Sequence, residues 1–177
     1  MSLSSSQLKR WPQYLVVLIL ALVQIASTNL IPLIGGNLLL AYFVAASVFF
    51  DYNLLIWLAL LGGLMLDLYG APTSFGLNIG FLLLLVIISK LIIRLETQSQ
   101  RLWYCFLLSL GFSLIFFVVD VGLVVNTINQ AAILPLIWKL LGSMVYNGLA
   151  TVLLFAAFEF ALSRDGHKLQ YRRGGKR

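Results

Sequence analysis

The chain has 177 residues, enough for one domain, of which 61% are hydrophobic and only 10% are charged. Soluble globular proteins contain about 45–50% apolar and about 25% charged residues, so these few charges could not cover a soluble fold. The single cysteine and single histidine exclude an internal disulfide and a Cys/His-ligated metal site. The composition therefore excludes soluble enzymes, disulfide scaffolds and disordered tails, and it predicts an integral membrane protein.

Six apolar runs follow one another along the chain, and a helix needs about 20 such residues to cross about 30 Å of hydrocarbon. The first run opens at Pro12, where a missing N–H is harmless, and it closes at Pro32. The second run is short and ends at Asp51. We predict helices at residues 12–31, 36–51, 53–69, 75–94, 102–125 and 134–162. They form one transmembrane domain, residues 1–163, followed by a basic cytoplasmic tail, residues 164–177.

The basic residues support this count of helices. If the N-terminus is cytoplasmic, the loop after helix four and the tail are cytoplasmic too, and 11 of the 12 Lys and Arg residues lie on that side. The three opposite loops contain none, and the twelfth, Lys139, lies inside helix six. We therefore predict that both termini are cytoplasmic. A cleaved signal peptide is the alternative for the first run, but its apolar stretch exceeds the usual 7–15 residues.

Three charged residues, Asp67, Asp120 and Lys139, lie inside the apolar runs. A charge within a membrane span is costly and marks either an ion pair or a functional site. All three are expected at similar depth, in the outer half of the membrane, where Asn78 joins them in a polar cluster. Two alternatives stay open: Lys139 pairs with one of the aspartates, or the cluster lines an outward-facing cavity for a ligand or for a segment of a partner.

Polar residues share faces with two of these charges. Ser109 and Ser113 lie on one stripe with the aspartate of helix five, and Ser143, Tyr146 and Asn147 follow the lysine of helix six at helical spacing. In membranes, small residues let helices approach closely, and polar residues form hydrogen bonds between helices. We therefore predict that these faces point into the bundle.

Helix four carries a Gly-x-x-x-Gly sequence at Gly76 and Gly80. This spacing permits a tight helix crossing, either within the chain or with the single helix of a partner. No Ser/His/Asp set, phosphate-binding glycine loop or HExxH sequence is found, so we predict neither an enzyme nor a cofactor. Asp67 and Asp120 could form an intramembrane protease pair, but Asp67 lacks the Gly-x-Gly that precedes such an aspartate.

A longer pattern surrounds the end of helix three. Residues 63–78 read Gly-Leu-Met-Leu-Asp-Leu-Tyr-Gly-Ala-Pro-Thr-Ser-Phe-Gly-Leu-Asn. This arrangement, on a small and nearly loopless chain, resembles the bacterial rod shape-determining protein MreD family. The matching residues are Gly63, Asp67, Gly70 or Ala71, Pro72 and Gly76.

The resemblance implies a non-enzymatic scaffold subunit of the cell-elongation complex, in the bacterial inner membrane. Such proteins accompany MreC, which has one membrane helix, and they support cell-shape control and peptidoglycan synthesis. The wider machinery includes the MreB filament, the RodA glycosyltransferase and a penicillin-binding transpeptidase. Contact with membrane lipid is expected, a homodimer stays open, and nucleic acid is not a partner. The positions expected at the partner interface are Gly63, Gly70, Pro72, Gly76 and Gly80.

The resemblance also implies an all-α bundle of six helices similar to the substrate-binding subunits of energy-coupling-factor vitamin transporters. Such a subunit is the alternative function, and it would place a vitamin in the outer cavity. The outer loops here are short, and helix one lacks the Ala-x-x-x-Ala with which those subunits often dock their membrane partner. Both features favour the scaffold. An ion or proton transporter is a third reading, disfavoured because no internal repeat is found.

Overall fold

The computed structural model describes residues 11–30, 37–69, 76–95, 100–124 and 133–164. Within these stretches the protein is all-helical. The six helices are α1 (Trp11–Leu30), α2 (Leu38–Phe49), α3 (Tyr52–Tyr69), α4 (Leu77–Leu95), α5 (Arg101–Val124) and α6 (Ile133–Arg164). Their ends lie within two residues of the ends expected from the sequence. The predicted tail after Arg164 lies outside the described residues.

Short polar and turn-forming residues set the helix ends. Pro12 lies in the first turn of α1, and Asn37 caps α2 by accepting a hydrogen bond from the backbone N of Leu40 at 3.1 Å. Phe50 has extended backbone angles, and Asp51 is exposed before the next helix begins. The connection between α2 and α3 is therefore only two residues long, which makes these two helices antiparallel neighbours.

Helix α2 forms the centre of the bundle. It contacts each of the other five helices, and all of its residues from Leu39 to Ser47 are buried. A helix that is apolar on every face is stable only when it is surrounded, which explains why this 12-residue segment lies inside. Its length is about 18 Å, so the longer helices extend beyond it.

Contacts between helices establish their directions. Near the end of α1, Gln24 contacts the backbone of Leu38 at the start of α2, and Asp67 near the end of α3 contacts the start of α4. Ser109 and Ser113 of α5 contact Thr151 and Asn147 of α6 respectively, and this opposite order along the two helices shows that they are antiparallel as well. We call the end of the bundle where α1 begins the basal end, and the opposite end the distal end. Helices α1, α3 and α5 run toward the distal end, and α2, α4 and α6 run back.

Three of the six helices are compatible with a membrane protein in length and composition. They have stretches long and apolar enough to cross a membrane, Tyr52–Tyr69, Arg101–Val119 and Pro135–Ala161. Shorter apolar stretches occur at Pro12–Ala26, Leu38–Phe49 and Leu77–Ile93. The all-helical architecture is confirmed for the described residues, whereas the six-span topology and the side on which each terminus lies stay predictions.

Candidate functional site at the start of helix α4

The carboxylate of Asp67 binds the first turn of α4. Its Oδ2 accepts hydrogen bonds from the backbone N of Gly76 at 3.0 Å and of Ile79 at 3.2 Å. Its Oδ1 accepts from the backbone N of Asn78 at 3.1 Å and from Asn78 Nδ2 at 2.8 Å. The first N–H groups of a helix have no partner within the helix, and they form its electropositive end. A buried carboxylate from α3 therefore caps α4 and balances that end.

Gly63 lies one turn before Asp67 on the same face of α3. A Cβ atom added at Gly63 would lie 2.6 Å from the Cα and 2.8 Å from the backbone N of Ile79. No side chain fits in so short a distance, so the backbones of α3 and α4 are in direct contact at this position. The Gly-x-x-x-Asp spacing thus provides the close approach with its glycine and the cap with its aspartate.

Gly76 supplies the third component of this corner. Its φ of +92° lies in the left-handed region, which residues with a side chain rarely adopt, and its carbonyl accepts a hydrogen bond from the N of Gly80. No described atom lies within 4 Å of a Cβ added at Gly76. This glycine is therefore required for its backbone conformation and not for space.

The structure brings together only part of the predicted polar cluster. Asp67 contacts Asn78, whereas Lys139 is half-buried on α6. The described hydrogen bonds of Asp67 all come from residues 76–79, so the start of α4 balances its charge instead of Lys139. Asp120 belongs to α5, but its side chain lies outside the described part of the structure. Pairing of Lys139 with Asp120 therefore stays a prediction.

The register of α5 and α6 is compatible with that pairing. Thr151 Oγ1 donates to Ser109 Oγ at 2.9 Å, and Asn147 Nδ2 donates to Ser113 Oγ at 2.8 Å. Each step of four residues along α5 is thus matched by four residues back along α6. About two further turns bring positions 120 and 139 to the same depth at the distal end.

Two expectations about the glycines need correction. Gly63 is buried against α4, so it is not available to a partner. A Cβ added at Gly80 meets no described atom within 4 Å, and the close approach between α3 and α4 uses Gly63 instead, so the described residues do not support the first of the two alternatives for Gly80, a tight crossing within the chain. Gly80 is exposed, and it remains compatible with a partner. Gly70 and Pro72 lie outside the described residues.

A second polar group lies at the start of α2, and sequence reasoning found only part of it. As predicted, Ser109, Ser113, Ser143 and Asn147 are buried in the bundle, whereas Tyr146, which was predicted on the same face of α6, is only half-buried. The residues that were missed are Gln24, Asn37 and Thr151, all buried. Asn37 could have been found, because an asparagine directly before an apolar run is a typical helix N-cap.

Comparison with known proteins does not identify a relative. No protein-family model matches the chain, and no curated protein or solved structure is significantly similar to it. The role of the site therefore has to be inferred from its geometry. At the α3–α4 corner, both oxygens of the acid are used in hydrogen bonds to α4, which is the arrangement of a structural cap.

Proposed function

We propose that this protein is a non-enzymatic scaffold subunit of the bacterial cell-elongation complex, located in the inner membrane with six spans and both termini in the cytoplasm. One observation carries the proposal: the Asp67 carboxylate, with four hydrogen bonds, joins α3 to the start of α4. Gly63 and Gly76, which belong to the MreD-like pattern, complete that corner. The pattern thus holds two helices in a defined position, which is what a docking protein requires.

The exposed side of α4 is the surface that we assign to the partner. Gly80 lies on this side, followed at helical spacing by exposed Leu84, Ile87 and Leu91. A glycine in such a stripe lets the backbone of another helix approach, and the neighbouring leucine and isoleucine side chains provide packing. The partner is a single-span protein similar to MreC, and MreB, RodA and a penicillin-binding transpeptidase belong to the wider assembly.

Aromatic residues support the membrane position. Tyr52 and Tyr69 are exposed at the two ends of α3, about 25 Å apart. Trp103 near the start of α5 and Trp138 near the start of α6 are exposed at opposite ends of the bundle. Aromatic residues favour the two membrane–water interfaces, and the spacing is close to the hydrocarbon thickness of about 30 Å. In our proposal, the basal end faces the cytoplasm.

The proposal is tested by purifying the tagged protein from its own membrane and identifying copurifying molecules by mass spectrometry. We expect a single-span protein in stoichiometric amount, and we expect Gly80→Leu to reduce its recovery at least about fivefold. The matched control is Ala157→Leu, because Ala157 is also a small exposed residue but lies on α6, which packs against α2 and α5. The control should leave recovery unchanged.

Two outcomes would contradict the scaffold. Equal recovery with Gly80→Leu and with the control would show that α4 is not the docking surface. A bound vitamin with no single-span protein would favour the energy-coupling-factor subunit instead.

A further inference from the structure

Glycines within the helices differ in what surrounds them. An added Cβ atom would lie within 3.2 Å of a neighbouring atom at Gly62, Gly63 and Gly148, so these three glycines allow helices of the chain to approach one another. At Gly80 and Gly111 the added Cβ would meet no described atom within 4 Å, and both glycines are exposed. Gly111 lies in the interior of α5, where glycine is less favourable than alanine. Packing among the described residues does not explain these two glycines.

The two exposed glycines lie on one side of the bundle at similar depth. Each directly precedes a phenylalanine, and the rings of Phe81 on α4 and Phe112 on α5 contact each other with their centroids 6.0 Å apart. This contact places Gly80 and Gly111 within about one turn of each other in depth. One residue rotates a helix by about 100°, and because α4 and α5 run in opposite directions, both glycines turn to the same side of the contact. Since both are exposed, that side is the outer surface of the bundle.

We call this outer surface, where α4 and α5 meet, the α4–α5 seam. Its floor is aromatic, because the ring of Phe116 also contacts Phe81, with centroids 5.1 Å apart. Its walls are apolar: exposed Leu84 lies one turn from the glycine of α4, and exposed Leu107 and Ile115 lie one turn on either side of the glycine of α5. The axes of packed helices are about 8–10 Å apart, close to the width of one helix, so a third helix can lie along the seam and contact both walls.

We propose that the α4–α5 seam binds the membrane helix of the single-span partner, so that this helix lies between α4 and α5 and contacts Gly111 as well as Gly80. The inference rests on the proposed function, because the seam is continuous with the exposed side of α4 that we assign to the partner. A glycine on each wall lets the backbone of the bound helix approach both α4 and α5. The face of the partner helix that enters the seam is therefore apolar, with a small residue at the depth of the two glycines.

A helix fits the seam better than a second copy of the chain or lipid does. A two-fold symmetric pair would place one seam opposite another, and neither copy would provide a ridge to fill the other. Acyl chains adapt to a surface of any shape, so they do not require a close approach to the backbone, whereas a packed helix gains van der Waals contacts from it.

The first test repeats the copurification with Gly111→Leu. We expect recovery of the single-span protein to fall at least about fivefold, because a leucine here would overfill the seam. Leu114→Trp is the matched control: Leu114 is exposed on the same helix, but its position two residues past Phe112 turns it away from α4, and recovery should not change. Gly111→Leu should melt no lower than the native protein in detergent, since its Cβ meets no described atom, and this separates lost docking from lost folding.

The second test does not depend on a bulky substitution at Gly111. The photoreactive residue p-benzoylphenylalanine replaces either Ile115 or Leu114 in the full-length protein, which is illuminated in its own membrane. The two side chains are 48% and 45% exposed, but only Ile115, three residues past Phe112, returns to the side of the seam. We expect position 115 to form an adduct with the single-span protein, identified by mass spectrometry, and position 114 to form none above background.

The outcomes separate this inference from the scaffold function. If folded Gly111→Leu recovers the partner as well as the native protein does, or if position 115 gives no partner adduct, the seam proposal is overturned; a loss with Gly80→Leu would then still support docking on α4 alone. An adduct of position 115 with a second copy of the chain, or with lipid only, overturns the seam proposal as well. If the native protein recovers no single-span protein, the scaffold function fails and the seam proposal fails with it.

Discussion

Replacing Gly63 by alanine is the most direct test of the α3–α4 corner. The added methyl carbon would lie 2.6 Å from the Cα and 2.8 Å from the N of Ile79, both backbone atoms. A side chain could rotate away, but a backbone can move only if the helix moves. Because Asp67 holds the same turn of α4 with three backbone hydrogen bonds, that movement also stretches the cap.

The expected loss follows from overpacking, which costs about 1–3 kcal/mol when one or more carbon atoms are forced into a filled space. For a chain of this size, 1 kcal/mol corresponds to about 2–4 °C in melting temperature. Alanine gains the same helix propensity at both glycines, so we expect Gly63→Ala to melt about 2–12 °C lower than Gly80→Ala, measured by thermal unfolding of the purified proteins in detergent.

Gly80→Ala is the matched control, because Gly80 is also helical but has no described atom within 4 Å of its added Cβ. Alanine is a better helix former than glycine by about 1 kcal/mol, so this variant should melt at the same temperature or slightly higher. If Gly63→Ala and Gly80→Ala melt at the same temperature, the two backbones are not in contact at Gly63, and the reasoning is refuted.

Four further predictions address the cap, the ion pair, the core and the topology. Asp67→Asn should lower the free energy of unfolding by about 1–3 kcal/mol, since an amide has one acceptor oxygen for four donors; chemical denaturation in detergent measures the loss, and an unchanged value would argue against the cap. Lys139→Ala should lower the folded yield, and adding Asp120→Asn should partly restore it; yields that fall further in the double variant would contradict the pair. Asn147→Leu should destabilise the fold by about 1–3 kcal/mol, because it leaves the N–H at the start of α2 unpaired; a thermal scan that matches the native protein would show that this bond is dispensable. A reporter fused after Arg177 should be active only in the cytoplasm, and periplasmic activity would reverse the proposed topology.

Much of the helical architecture follows from local sequence. Runs of apolar residues separated by Pro, Gly, Asn and Asp place the six helices, because each apolar run must be buried in protein or in lipid and these residues end helices. The faces that carry Ser113, Ser143 and Asn147 were also predictable, since the spacing of polar residues on one helix determines which of them share a face.

The partners of those faces were not predictable in the same way. Sequence reasoning grouped Asp67 with the lysine of helix six because their signs are complementary and their depths similar. In the folded chain the nearest source of positive charge is the start of α4, which forms part of the backbone and leaves no trace in a count of charged residues. The start of a helix carries its partial positive charge wherever it lies, but only the folded chain brings it beside the acid.

The amino-acid sequence by itself therefore determined an apolar, all-helical chain, the ends of its helices and the inward direction of its polar stripes, since these depend on hydropathy and on helical periodicity. Only the tertiary structure decided which glycine allows a close approach, which group balances Asp67, and that α2 lies in the centre with its start capped by Gln24 and Asn147. These contacts join residues far apart in the chain. Their distances depend on how the helices pack against one another, and that packing cannot be read from the sequence of any single helix.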